Sequence, residues 1–296
     1  MNRVTALLAA AAASTVLLLS GCAAAGGDSG SADAAGSAEE LASSEASGGV
    51  STVDPAVGSL VGGETITLSG FGFEGVSDVA FATVPAPAFS VVDDGTLTVV
   101  APSATDFMPA EVPIVVTLAD GSQVSTDAAG YSYEIQTPVD AQMNYAFTYW
   151  QDYNLDEWGV FSDNDCGNFV NQAMLARGWQ QSEDWYSDYA ATGDYSFSWI
   201  RGNEMDAYYA SRPDTTRLSI DERDRVKIGD VVMFDWDPQN DNGVDHTMIV
   251  SKVTPNADGT IAIGMVGHTL DAQYRDLDNA ITVEKPGGTA HFWSIA

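Results

Sequence analysis

Asp165-Cys166-Gly167-Asn168-Phe169-Val170-Asn171-Gln172 opens a segment that reads as a helix running to Arg177. Phe169, Val170, Ala173 and Met174 fall on one face of it, and Gly178 supplies the stop. Asn164 or Asp165 can cap its first turn. Upstream, Thr137-Pro138 breaks the chain, and Asp140–Trp150 sets Met143, Ala146, Phe147 and Trp150 on one helical stripe. Downstream, residues 179–225 are aromatic and polar: some of those rings must be core, and others could line a groove. Short strands follow at Asp230–Trp236, His246–Val253 and Thr260–Val266, the last leading to Gly267-His268-Thr269. Helices first and strands after give an α+β domain over 138–296.

The same stretch holds the chemistry. The chain has two cysteines, and the other, Cys22, closes an apolar leader, so Cys166 has no disulfide partner after export. A thiol in the positive end of a helix dipole is expected to have a lowered pKa and to favour thiolate. Of the three histidines, His246 opens an apolar strand, Val244-Asp-His-Thr-Met-Ile-Val250, and is the candidate base. A base needs a third group to fix its tautomer. His268, at the end of the next strand, is the candidate orienter, with Asp271 in reserve. The backbone N–H of Cys166 is the first oxyanion donor. Asn168 is either a second donor or structural, and His291 reads as structural or surface. A zinc site on His246, His268 and His291 plus an Asp is the competing reading, but spacings of 22 and 23 residues match no compact zinc motif and leave Cys166 without a role. No cofactor is implied.

Residues 52–136 are short strand signals separated by turn residues, among them Thr65–Leu68, Val79–Phe81, Leu97–Val100, Val112–Leu118 and Tyr131–Tyr133. This spacing argues for an all-β sandwich. The order Gly-Gly-Glu-Thr-Ile-Thr-Leu-Ser-Gly-Phe-Gly-Phe, Val-Ala-Phe, Leu-Thr-Val-Val-Ala-Pro and Ala-Gly-Tyr-Ser-Tyr resembles an IPT/TIG immunoglobulin-like domain. That resemblance implies a spacer or a surface contacting protein or glycan.

Residues 1–21 combine a charged start, an apolar run and small residues, the pattern of a signal peptide. Leu19-Ser20-Gly21-Cys22 resembles a lipobox, which implies lipidation of Cys22 and a membrane anchor. Residues 22–51 are small and acidic and read as a disordered tether. The chain carries 42 acidic residues against 11 basic, and no Lys or Arg between Arg3 and Arg177. Nucleic acid is excluded as a partner on that ground. The acidity itself fits solubility, salty surroundings or divalent bridging to an anionic wall.

Asp-Cys-Gly-Asn-Phe-Val-Asn-Gln, Ile-Gly-Asp-Val-Val-Met-Phe-Asp-Trp, Val-Asp-His-Thr-Met-Ile-Val and Gly-His-Thr together resemble the putative amidase domain of the papain-like superfamily, related to NlpC/P60 and CHAP wall hydrolases. The resemblance spans about 140–295. Relatives usually carry Thr or Ser after the cysteine, where this chain has Gly167. It implies Cys166 as nucleophile, His246 as base and a polar orienter at His268. The expectation is an exported, lipid-anchored cysteine amidase or peptidase acting on cell-wall peptide at the outer face of the envelope. The alternative is a surface binding or adhesion lipoprotein that has lost activity.

Overall fold

A computed structural model describes residues 48–126, 130–162 and 164–296. The signal peptide, Cys22 and most of the tether lie outside them. The first strand, Gly49–Asp54, starts inside the stretch read as tether, because Val50 packs into the core and the strand pairs with Thr65–Phe71. Among the described residues, no helix is long and apolar enough to cross a membrane.

The chain is β-rich. Its first part forms two sheets. One runs Gly49–Asp54, Thr65–Phe71, Thr96–Val100, Phe89–Asp93; the other runs Val57–Ser59, Gly130–Glu134, Ala110–Leu118, Val76–Phe81, Val84–Pro85. Alternation decides their inner faces: Ile66 and Leu68, Leu97 and Val99, Ile114 and Val116, Tyr131 and Tyr133 are buried while their neighbours are not. Residues of both sheets belong to one core. Each such fully buried side chain contributes roughly 1.5–3 kcal/mol.

The second part is one six-stranded antiparallel sheet, in the order Thr215–Ser219, Thr289–Ile295, Val231–Asp235, His246–Pro255, Ile261–Gly267, Ala272–Asp276. The two outer strands were not expected from the sequence. Its central strands, Val231–Asp235 and the start of His246–Pro255, are buried on both faces. Val231, Met233, Ile249 and Val266 face one core, shared with helices Pro138–Tyr149 and Cys166–Ala176; Val232, Phe234, Met248 and Val250 face another. The second helix ends where Gly178 takes φ +111°, and Trp179 N–H returns to the Met174 carbonyl at 3.0 Å.

The joint between the parts is a buried carboxylate. Asp140 is fully buried and closes a capping box with Thr137 at the start of the first helix. It also accepts from Ser59 Oγ at 2.6 Å and from Val61 N–H at 2.9 Å, both on the first part. Phe107 packs on Phe147 with ring centroids 4.8 Å apart, and Asn144 Nδ2 donates to the Phe107 carbonyl at 3.0 Å.

Candidate active site

Cys166 is the first residue of its helix, as the sequence suggests, and is 5% exposed. Gly167 follows because the backbone of Trp199 and Ile200 crosses there: a Cβ at 167 would stand 3.0 Å from the Trp199 carbonyl oxygen and 3.1 Å from Ile200 Cα. A Thr or Ser side chain here would need that backbone to give way. The thiol donates to Asn164 Oδ1 at 3.7 Å. It shares a small cavity of about 70 Å³ with Asn164, Ile200, Val244, His246 and Thr247.

The expected thiolate is not the resting form. Burial pushes the Cys166 pKa up, outweighing the hydrogen bonds from the Thr247 and Gly167 N–H groups that favour the anion. His246 is displaced the other way, down to about 3, first by burial and then by the charge of Arg275. Both groups are therefore neutral, as thiol and imidazole.

Cys166 and His246 line one cavity, but no hydrogen bond joins them among the described residues. Strand parity explains it. Thr247 and Ile249 alternate with His246 and Met248, and the His246 ring lies 5.9 Å from those of Phe234 and Trp236. Its Nε2 is buried and has no partner.

His268 does not orient His246. Its Nδ1 lies 2.6 Å from Asp165 Oδ2, and its Nε2 lies 2.8 Å from the Tyr149 carbonyl. Both ring nitrogens are taken. The carbonyl only accepts, so Nε2 carries the hydrogen of that bond. Tyr153 stacks on the ring at 3.6 Å and 4°, and donates at 2.7 Å to Asp271, the reserve orienter, which is thus bound to Tyr153 rather than to His246.

Asp165 is correspondingly not a simple cap. Its Oδ1 accepts from Phe161 N–H at 2.8 Å and Asn168 Nδ2 at 2.9 Å, and its own N–H donates to Thr269 Oγ1 at 3.1 Å. Asn168 also accepts from Trp199 Nε1 at 2.8 Å and is fully buried, so its side chain is structural and not an oxyanion donor. The sequence reading missed Asp165 as a hub. The signal was present, since an acid preceding a helix-opening cysteine has more uses than capping.

His291 stands apart, with Nε2 2.7 Å from Asp206 Oδ1. His268 and His291 bond different carboxylates and His246 Nε2 bonds neither, so the three histidines form no common ligand set. One acidic group, Asp235, Asp237 and Asp245, lies close enough to hold a cation. A further contact fixes Val244, which lines the thiol cavity: Asn203 donates from Nδ2 to the Asn242 carbonyl at 2.6 Å and accepts the Val244 N–H at 2.8 Å.

Comparison with known proteins agrees with this organisation. The family described as putative amidase domain matches residues 137–293, just over half of the chain, and the IPT/TIG domain family matches residues 50–133. No curated protein matches. Among solved structures, a gamma-CGTase from alkalophilic Bacillus clarkii is 23% identical over 29% of this chain and 12% of its own, with a TM-score of 0.24. An auxiliary nutrient binding protein from Bacteroides ovatus is 20% identical over 29% of this chain and 21% of its own, with a TM-score of 0.23. The mixed-linkage glucan utilization protein SGBP-B of Bacteroides ovatus, solved with a heptasaccharide, is 10% identical over 81% of this chain and 50% of its own, with a TM-score of 0.21.

Proposed function

The chain belongs to the putative amidase domain family, and from that premise we propose that it hydrolyses amide bonds with Cys166 as nucleophile and His246 as base. The observation that carries this is the thiol at a helix N-terminus in one cavity with an imidazole whose Nε2 has no other partner. In the reaction, His246 takes the thiol proton, and the thiolate attacks the carbonyl carbon. The backbone N–H groups of Cys166, Gly167 and Thr247, which already favour negative charge at the sulfur, receive the developing oxyanion. The amide C–N bond breaks as His246 returns the proton to the leaving amine. Water then attacks the thioester, with His246 as base, and frees the acid and the thiol. His268, bound to Asp165, holds the turn that presents Cys166.

The substrate class proposed is cell-wall peptide. In this reading 138–296 is a papain-like α+β domain, Cys22 is lipidated, the protein stands on the outer face of the envelope, and the IPT/TIG domain is a spacer that contacts protein or glycan. Purified wall digested with the wild type and with Cys166→Ala tests it. New termini from the wild type alone are expected, and identical fragments from both proteins would defeat the nucleophile assignment.

The tightness of the cavity and the lack of a hydrogen bond between His246 and the sulfur favour a second reading, an inactive binding protein. Alkylation of Cys166 controlled by His246 is expected of the enzyme; reactivity indifferent to His246 is expected of the inactive protein.

A further inference from the structure

A second cavity, of about 350 Å³, lies next to the thiol cavity and is lined by Asp206, Arg217, Asp235, Thr289, His291 and Val244. The two share Val244. They also share one helix, Gly202–Ser211, which gives Gly202 and Met205 to the thiol cavity and Asp206 to the larger one. A substrate lying across Val244 reaches both.

The larger cavity carries opposite charges that do not satisfy one another. Asp206 Oδ1 accepts from His291 Nε2 at 2.7 Å and from Trp293 Nε1 at 2.8 Å. These bonds fix the carboxylate and leave Oδ2 without a donor among the described residues. Burial opposes ionisation of Asp206, but the bonds from His291 and Trp293 and the charge of Arg217 outweigh it and keep the carboxyl below its ordinary range. Among the described residues, Asp235 accepts a single bond, from Asp237 N–H to Oδ1 at 3.1 Å. Arg217 is exposed, and among the described residues it makes no ion pair. Two carboxylates with spare acceptors and one guanidinium with all its donors spare thus face one space beside the reactive sulfur.

We propose that this cavity binds a zwitterionic amino-acid head group of the substrate, its ammonium held by Asp206 and Asp235 and its carboxylate by Arg217. The inference rests on the hydrolase reading and names what sits beside the scissile bond. The guanidinium fork suits a carboxylate, and an ammonium has three donors for the spare carboxylate oxygens.

Nε-alanyl-lysine is a suitable probe, because it joins an amide bond to a free α-ammonium and α-carboxylate through a flexible stem. Its binding to Cys166→Ala, by titration calorimetry, is compared with that of the Nα-acetylated and α-carboxamide forms. Each block is expected to weaken binding about tenfold or more, the scale of a lost charged hydrogen bond. Asp206→Asn should remove the preference for the free amine alone, and Arg217→Gln the preference for the carboxylate alone. Asp235→Asn is a second test of the amine that leaves the His291 and Trp293 bonds in place, should Asp206→Asn not fold. Equal binding of free and blocked forms, loss of both preferences together in each variant, or no binding of the free form would overturn the proposal. Hydrolysis of free and blocked forms by the wild type separates the two ideas. Binding with the expected preferences but no hydrolysis sinks the enzyme reading and leaves the subsite; equal hydrolysis of every form does the reverse.

Discussion

His268 Nδ1 stands 2.6 Å from Asp165 Oδ2, one residue ahead of the thiol, and both groups are almost fully buried. Removing the imidazole leaves a buried carboxyl facing no donor on that side and frees the Tyr149 carbonyl. His268→Ala is expected to destabilise the fold by about 3–5 kcal/mol, read by denaturant unfolding. A loss below about 1 kcal/mol would show that the pair holds nothing.

His246 gives a pH signature. Its folded pKa, near 3, lies below the ordinary value of 6.5, so the unfolded chain takes up the proton first as pH falls. The stability due to neutral His246 is present above about 6.5 and is lost as pH drops toward 3. The loss is on the order of a few kcal/mol. His246→Phe, neutral throughout, should flatten unfolding free energy between those limits relative to the wild type; parallel curves would disprove it.

Asn203 holds the Asn242–Val244 loop, whose Val244 lines the thiol cavity, with two bonds. Asn203→Ala should raise the rate of Cys166 alkylation by iodoacetamide about tenfold, for two bonds lost at roughly 1 kcal/mol each less any compensation by water. An unchanged rate would mean the loop does not control access.

Gly167→Thr restores the residue type of the relatives into a space that Trp199 and Ile200 occupy. The expected cost is about 1–3 kcal/mol of overpacking, seen as a fall in midpoint by thermal unfolding. A stabilised variant would show that the crossing backbone yields.

Much of the site could be read from the chain because its logic is local. The cysteine at a helix start, the apolar stripe behind it and the strand opened by His246 are short-range patterns, and the structure has a helix at Cys166–Ala176 and a strand at His246–Pro255. The strand alternations of the IPT/TIG domain were equally visible. What was missed depends on approach between distant segments. His268 was matched to His246 by strand order, whereas its position on the helix-facing side of the sheet brings it to Asp165, 103 residues away. The expected thiolate failed for a related reason: a helix terminus is visible in a sequence, but the burial that overrides it comes from segments brought in from elsewhere, such as those of Ile200 and Val244 that line the thiol's cavity. Strands such as Thr215–Ser219, with little alternation of their own, were assigned only by their neighbours.

Asp140 ends one segment's turn and begins another's helix, binding Ser59, Val61, Gln136 and Thr137 in a single carboxylate. A joint of this kind has no slack. Relaxation measurements on amides in the sandwich and in the six-stranded sheet should therefore return one rotational correlation time, whereas Asp140→Ala should split it into two.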